Sequence, residues 1–133
     1  MASMRAAIDV GVPAIELDVL PTADDQVVVW HDPVLHPAKC RPTGVDYLGA
    51  RVDELTLTQL RTVDVGSLTL AGFPRQRAVP GERIPTLAEV FAATTGAPIW
   101  WVIEVKIDVT DPRDRAARHT LLNGVLEAVT DAG

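Results

Sequence analysis

Three short apolar runs with charges set into them limit what this chain can fold into: Ile15-Glu16-Leu17-Asp18-Val19, Val28-Val29-Trp30-His31-Asp32-Pro33 and Val102-Ile103-Glu104-Val105-Lys106. Each reads as a strand with ionisable residues at its C-terminal end. Side chains alternate along a strand, so Glu16 and Asp18 share a face, as do Glu104 and Lys106. An unpaired charge is costly to bury, so these faces are poor core material. They suit the mouth of a parallel α/β barrel, where enzymes of that architecture keep their chemistry.

The rest of the chain fits an α/β arrangement. Residues 2–10 predict a helix with Met4, Ala7 and Ile8 on one face and Gly11 as its stop. A strand is expected over 13–19, ended by Pro21, with a turn at Asp24-Asp25 and a second strand over 26–31. Both strands are nearly all apolar away from their C-terminal ends, as in a covered parallel sheet. The turn between them is nevertheless too short for a parallel pairing, which needs a long crossover. Either the two are not a simple βαβ pair or the barrel is irregular there.

Residues 32–85 are rich in proline and read as one elaborated irregular loop over a site, with a short helix near 57–63 announced by the capping box Thr56-Leu57-Thr58-Gln59. A second capping box, Thr86-Leu87-Ala88-Glu89, opens a helix to about Thr94, closed by Gly96. Residues 99–105 form a strand, with Trp30, Trp100 and Trp101 expected in core or rim packing. Asp111-Pro112 starts a helix to about 131, with proline at its first position. The order is α-β-β-(long loop)-α-β-α in one domain over residues 1–133. Three strands are far fewer than the eight of an α/β barrel of roughly 250 residues.

Composition removes several functions. The net charge is −6, and no basic run or basic–aromatic stripe exists, so nucleic acid is excluded as a partner. An acidic protein acting on anions needs local cations or a metal to offset its own field. The single cysteine, Cys40, lies in a polar, proline-rich stretch; it rules out an intrachain disulfide and a cysteine zinc cluster and reads as incidental. No run approaches the ~20 apolar residues of a membrane span. Met1-Ala2-Ser3-Met4-Arg5 lacks the apolar core of a signal peptide, so the chain as it stands reads as cytoplasmic.

The candidate chemistry is carried by few residues. Glu16, Asp18 and Glu104 are hard oxygen donors at matching strand positions, the kind of set that holds Mg²⁺ or Ca²⁺. His31 can act as a general acid or base, with Asp32 available to orient its ring. Lys106 serves either as a cation for a phosphate oxygen or as an ion-pair partner of Glu104 or Asp18. His36 and His119 read as structural or solvated. Arg75 and Arg77 read as solvated loop charge, with an anionic head group as the other use.

Taken together, four segments resemble the glycerophosphodiester phosphodiesterase family. Arg5-Ala-Ala-Ile-Asp-Val-Gly-Val-Pro-Ala-Ile-Glu-Leu-Asp-Val19 is similar to its first helix and Glu-x-Asp strand. Val27-Val-Val-Trp-His-Asp-Pro33 is similar to its second-histidine strand. Ile84-Pro-Thr-Leu-Ala-Glu-Val90 and Ile103-Glu-Val-Lys106 are similar to the approach to its fourth strand and to its Ile-Glu-x-Lys strand. The resemblance implies about half of a TIM-type (β/α) barrel. It implies metal-dependent hydrolysis of glycerophosphodiesters to glycerol 3-phosphate and an alcohol, with Mg²⁺ or Ca²⁺ as cofactor. By motif it implies metal ligands at Glu16, Asp18 and Glu104, a catalytic histidine at His31 and a phosphate-contacting lysine at Lys106.

The family's His-Arg-Gly strand and Pro-Glu-Asn segment are expected upstream of residue 2, and further strands after residue 133. On that expectation the chain alone is weakly active or inactive and self-associates through open barrel edges. The whole protein would be exported if a signal precedes the first strand. Two further readings stay open: a non-catalytic metal- and phosphate-binding half-barrel or gene remnant, and a phospholipase of the same architecture acting on lysophospholipid, phosphatidylinositol or sphingomyelin.

Overall fold

A computed structural model describes residues 1–133. Its centre is a three-stranded sheet of order β2-β1-β5, built from β1 (Ala14–Pro21), β2 (Val27–Val29) and β5 (Trp100–Val105). β1 runs parallel to β5 over six residue pairs, among them Glu16 with Val102 and Asp18 with Glu104. β1 meets β2 as an antiparallel hairpin, with Val19 opposite Val29 and Pro21 opposite Val27. This pairing resolves the short turn. Thr22 and Gln26 close it through a backbone hydrogen bond, and Asp25 supplies the positive φ of 58°. It also corrects two boundaries. β1 continues through Pro21, which lies past the last residue paired with β5 and whose missing N–H therefore costs no ladder bond. β2 stops at Val29, leaving His31 two residues beyond it.

Helix α1 (Ala2–Asp9) ends at Gly11, whose φ of 77° lets its N–H reach the Ile8 carbonyl. Helices α3 (Leu87–Ala93) and α4 (Pro112–Ala132) cover one face of the sheet. Both begin as expected: Thr86 and Glu89 form a reciprocal capping box, and the Asp111 carboxylate accepts from the Arg113 amide ahead of Pro112. Leu17 and Val19 point into this layer and pack with Leu87, Val90, Phe91, Leu121 and Val125. Trp101 joins them edge-on to Phe91, ring centres 5.8 Å apart at 63°.

On the opposite face, segment 32–85 covers only the hairpin end, at Leu20 and Val28, and the rest is bare. Glu16 and Asp18 lie on this face, and so do Trp100, Val102 and Glu104 of β5. Trp100 is 79% exposed, which corrects its expected place in packing. β5 is the outer strand, so the sheet is an open part of a barrel rather than a closed one.

The segment 32–85 is the long, largely irregular insertion expected from its prolines, and it carries more short elements than the sequence announced. It holds β3 (Arg41–Pro42), a 3-10 turn (Val52–Glu54), α2 (Leu57–Leu60) and β4 (Val63–Asp64), with β3 and β4 paired antiparallel. The Thr56–Gln59 capping box forms, but the helix lasts one turn. The segment has a core of its own: Leu35, Cys40, Val52, Leu55, Leu60, Val63 and Ile84 pack with Leu20 and Val28 of the hairpin. Cys40 is thus a buried core residue despite its polar neighbours, and burial pushes its thiol up to about 11. No helix is long and apolar enough to cross a membrane.

Packing gives a direct test. Leu87 is fully buried under the sheet. Leu87→Ala is expected to cost about 2–5 kcal/mol in urea unfolding. Trp100→Ser, on the bare face, is expected to change stability by less than about 0.5 kcal/mol.

Candidate metal and phosphate site

The bare face of the sheet gathers the charged residues of two strands. In-register parallel pairing sets Asp18 beside Glu104, and Glu16 stands two residues back on the same face of β1. One carboxylate oxygen from each of Glu16, Asp18 and Glu104 lies within 4.8 Å of the others. Oxygens sharing one Mg²⁺ or Ca²⁺, each roughly 2.0–2.6 Å from it, fall within about 5 Å of one another, so the donor set fits a hard divalent ion.

Two carboxylates side by side on neighbouring strands repel. Lys106 offsets this: its Nζ is 2.9 Å from Asp18 and 2.7 Å from Glu104, and both readings of this lysine as an ion-pair partner hold at once. Hydrogen bonds to Glu104 and then Asp18 hold its ammonium well above the usual lysine range. Glu16 has no ion-pair partner. Three carboxylates against one ammonium leave two negative charges, the complement of a divalent cation.

His31 arrives from the hairpin. The backbone N–H of Trp30 donates to the Asp18 carbonyl at 3.0 Å, and this last rung carries the chain past β1 just as His31 begins. His31 Nδ1 lies 2.7 Å from Asp32 Oδ1. A carboxylate only accepts, so Nδ1 carries the hydrogen and Nε2 of the neutral ring is free to take a proton. The other oxygen of Asp32 accepts from Lys39. Burial pushes the Asp32 carboxyl up, but the bonds from Lys39 and His31 outweigh it and hold it below the ordinary value. The Asp32–Lys39 contact was not foreseen; the seven-residue spacing within a proline-rich stretch carries no periodic signal.

Glu16, Asp18 and His31 share the wall of one open cleft of about 650 Å³, with Trp30, Arg75 and Arg77 also lining it. Glu104 and Lys106 stand beside this lining, against Asp18. The indole N–H of Trp30 is buried without an acceptor, an unmet donor of the kind that costs about 1–3 kcal/mol. His36 and His119 are elsewhere: His36 Nδ1 accepts from the Ala38 amide, and His119 is exposed on α4.

Two anchors outside the expected residues hold the surroundings. Arg51 makes paired 2.8 Å bonds to Asp53 and one of 3.2 Å to Asp114, tying segment 32–85 to the start of α4. Asp64, 5% exposed, accepts from the amides of Gly66, Ser67 and Gly81 and from the Ser67 hydroxyl. Burial raises its carboxyl, but the amides of Gly81 and Gly66 and the bonds from Ser67 outweigh it and hold it well below the carboxylate range.

The model of the glycerophosphoryl diester phosphodiesterase family matches residues 1–132. The chain belongs to this family. It is 33% identical over 106 residues to the glycerophosphodiester phosphodiesterase of Caldanaerobacter subterraneus subsp. tengcongensis, covering 80% of this chain and 38% of that protein. It is 36% identical over 110 residues to Lysophospholipase D GDPD1 of Homo sapiens, covering 81% and 32%. Among solved structures, a protein of Silicibacter pomeroyi DSS-3 named for glycerophosphoryl diester phosphodiesterase activity superposes with a TM-score of 0.87 at 31% identity, over 99% of this chain and 48% of that one. An Oleispira antarctica phosphodiesterase solved with sn-glycerol-3-phosphate shares the fold, with a TM-score of 0.72 at 22% identity over 97% and 44%. This family member therefore spans about a third of the length of its curated relatives and under half of the matched structures, and its open sheet is part of their TIM-type barrel.

Asp64 gives the test of the surroundings. Its folded pKa is depressed below the ordinary value of 3.8. Its contribution to stability is therefore complete above that value and is lost as pH falls through the lower folded value. Asp64→Asn sets an amide where Gly81 N–H donates and is expected to cost about 1.5–3 kcal/mol at pH 7. The variant's stability should also fall less steeply with acid than the parent's, as read by urea unfolding across pH.

Proposed function

We propose that this chain carries the metal-binding half of a glycerophosphodiester phosphodiesterase site, hydrolysing glycerophosphodiesters to glycerol 3-phosphate and an alcohol. The carrying observation is the convergence of Glu16, Asp18 and Glu104 within 4.8 Å, on the same sheet face as Lys106 and in the same cleft as His31. The family and the curated relatives support the reaction class.

In this reading Glu16, Asp18 and Glu104 would hold Mg²⁺ or Ca²⁺, which would supply Lewis-acid chemistry at the phosphoryl oxygen. Lys106, already oriented by Asp18 and Glu104, offers its ammonium to a phosphate oxygen. Asp32 keeps the His31 ring in one tautomer, and Nε2 exchanges a proton with the attacking or leaving oxygen. Asp32 also stabilises the imidazolium formed when His31 accepts that proton. A lysophospholipase D reaction is the second reading. The names of the mammalian relatives favour it, as do the apolar Met4, Leu68 and Val79 in the cleft wall.

Three measurements bear on this. Calorimetric titration with Ca²⁺ or Mg²⁺ should show one site per chain, and Asp18→Asn should weaken it at least about tenfold, as loss of a charged oxygen ligand implies. Unchanged binding in Asp18→Asn would remove these residues from the metal role. With glycerophosphocholine and lysophosphatidylcholine as substrates, His31→Ala should lower kcat by about 10²–10⁴ while the far-ultraviolet spectrum stays the same. Equal turnover by the parent and the His31 variant would refute the assignment. The bare Trp100 and Val102 should also drive self-association, read by sedimentation, and W100S/V102T should reduce it; a monomeric parent chain would contradict this.

A further inference from the structure

The stretch between Asp64 and Glu82 leaves the body of the protein and returns to the same place. Asp64 bonds both of its ends: Oδ1 accepts from Gly66 and Ser67 at 2.8 Å each, and Oδ2 accepts from Gly81 at 2.7 Å. The two arms of the neck are cross-linked by backbone bonds from Val65 to Glu82 (3.0 Å) and from Val79 to Gly66 (2.8 Å). They pass so closely that a Cβ on Gly66 would lie 2.1 Å from the Val79 carbonyl oxygen, so only glycine fits there. The tip is ordered as well, with the Gln76 side chain accepting from the Leu70 amide at 2.7 Å.

This tethered tip presents Arg75 and Arg77 to the cleft lined by Glu16, Asp18 and His31. Both arginines are exposed, and neither has a carboxylate partner. Arg51, Arg61, Arg83 and Arg113 each have one; Arg5, Arg41, Arg115 and Arg118 also have none, but they do not line this cleft. Two uncompensated guanidinium groups in a chain of net charge −6 are placed where an anion would meet them. The strand face would supply the charge for a reacting phosphodiester, through Lys106 and the divalent ion that its three carboxylates would hold. A phosphate monoester carries about −1.5 to −2 at neutral pH, which matches two guanidinium forks.

We infer that Arg75 and Arg77 form a second anion subsite, selecting glycerophosphodiesters whose alcohol bears a phosphate group of its own. The inference rests on the phosphodiesterase reading for the position of the scissile phosphate. The leaving alcohol reaches from the strand face toward the loop tip, and its phosphate is held there by charge-assisted hydrogen bonds. Asp64 positions the loop and touches no ligand.

The test compares two probes that differ by one phosphate, glycerophosphoinositol and glycerophosphoinositol 4-phosphate, by calorimetry on the full chain with Ca²⁺. The added phosphate should tighten binding about tenfold or more at low salt, and the gain should shrink as salt is raised. In R75Q/R77Q the gain should fall below about twofold, with affinity for glycerophosphoinositol unchanged; R75K/R77K should keep part of it. Both residues are exposed and outside the Asp64 bonds, so an unchanged far-ultraviolet spectrum is expected.

Equal affinity for the two probes, including no binding of either, overturns the subsite. So does a gain that survives in R75Q/R77Q. An equal loss for both probes overturns it too, by placing the arginines on the shared phosphodiester. Release of glycerol 3-phosphate is followed separately. Discrimination without hydrolysis sinks the catalytic reading and keeps the subsite, and hydrolysis without discrimination does the reverse.

Discussion

The parallel register between β1 and β5 is the constraint on which the rest of this structure depends. It fixes Asp18 opposite Glu104 and so brings together carboxylates 86 positions apart in the chain. Without Lys106 this register would set two like charges side by side, and with it the same three groups become a compact, partly neutralised cluster. A slip of one residue would turn Glu104 into the helix-covered face, where Leu17, Val19, Leu87 and Val90 leave no room for a charge. The apolar alternation of the covered face therefore enforces the geometry of the charged face.

The hairpin brings in His31 from a different direction. Because β2 runs antiparallel to β1, its end folds back alongside Asp18 instead of emerging at the far end of a crossover. This places His31 in the cleft with only a five-residue turn, residues 22–26, between strands. A barrel made solely of βαβ units would have needed a helix to do the same.

Much of this was legible in the sequence, because the informative signals were local. The period-two pattern in Ile15–Val19 and Val102–Lys106 gave both strands and the shared face of their charges. The Thr86–Glu89 capping box and Asp111-Pro112 gave the starts of α3 and α4. What escaped was non-local. The prolines between 32 and 85 hid a packed core, since its buried residues come from short, irregular pieces with no period to detect. Trp100 looked like core because its residue type is usually buried, whereas its exposure depends on what lies beside β5. The grip of Asp64 on Gly81, and of Arg51 on Asp114, spans separations that carry no pattern.

The neck at Asp64 has an evolutionary consequence. A loop whose ends are fastened to one carboxylate is closed regardless of what its tip contains. Lengthening the tip adds closure entropy only logarithmically, about 0.6 kcal/mol per doubling. The residues between Leu68 and Ala78 can therefore be exchanged as a cassette, leaving the strands, the carboxylate cluster and His31 untouched. Variation at the cleft rim can proceed by trading tips on a fixed stem, decoupled from the strands below.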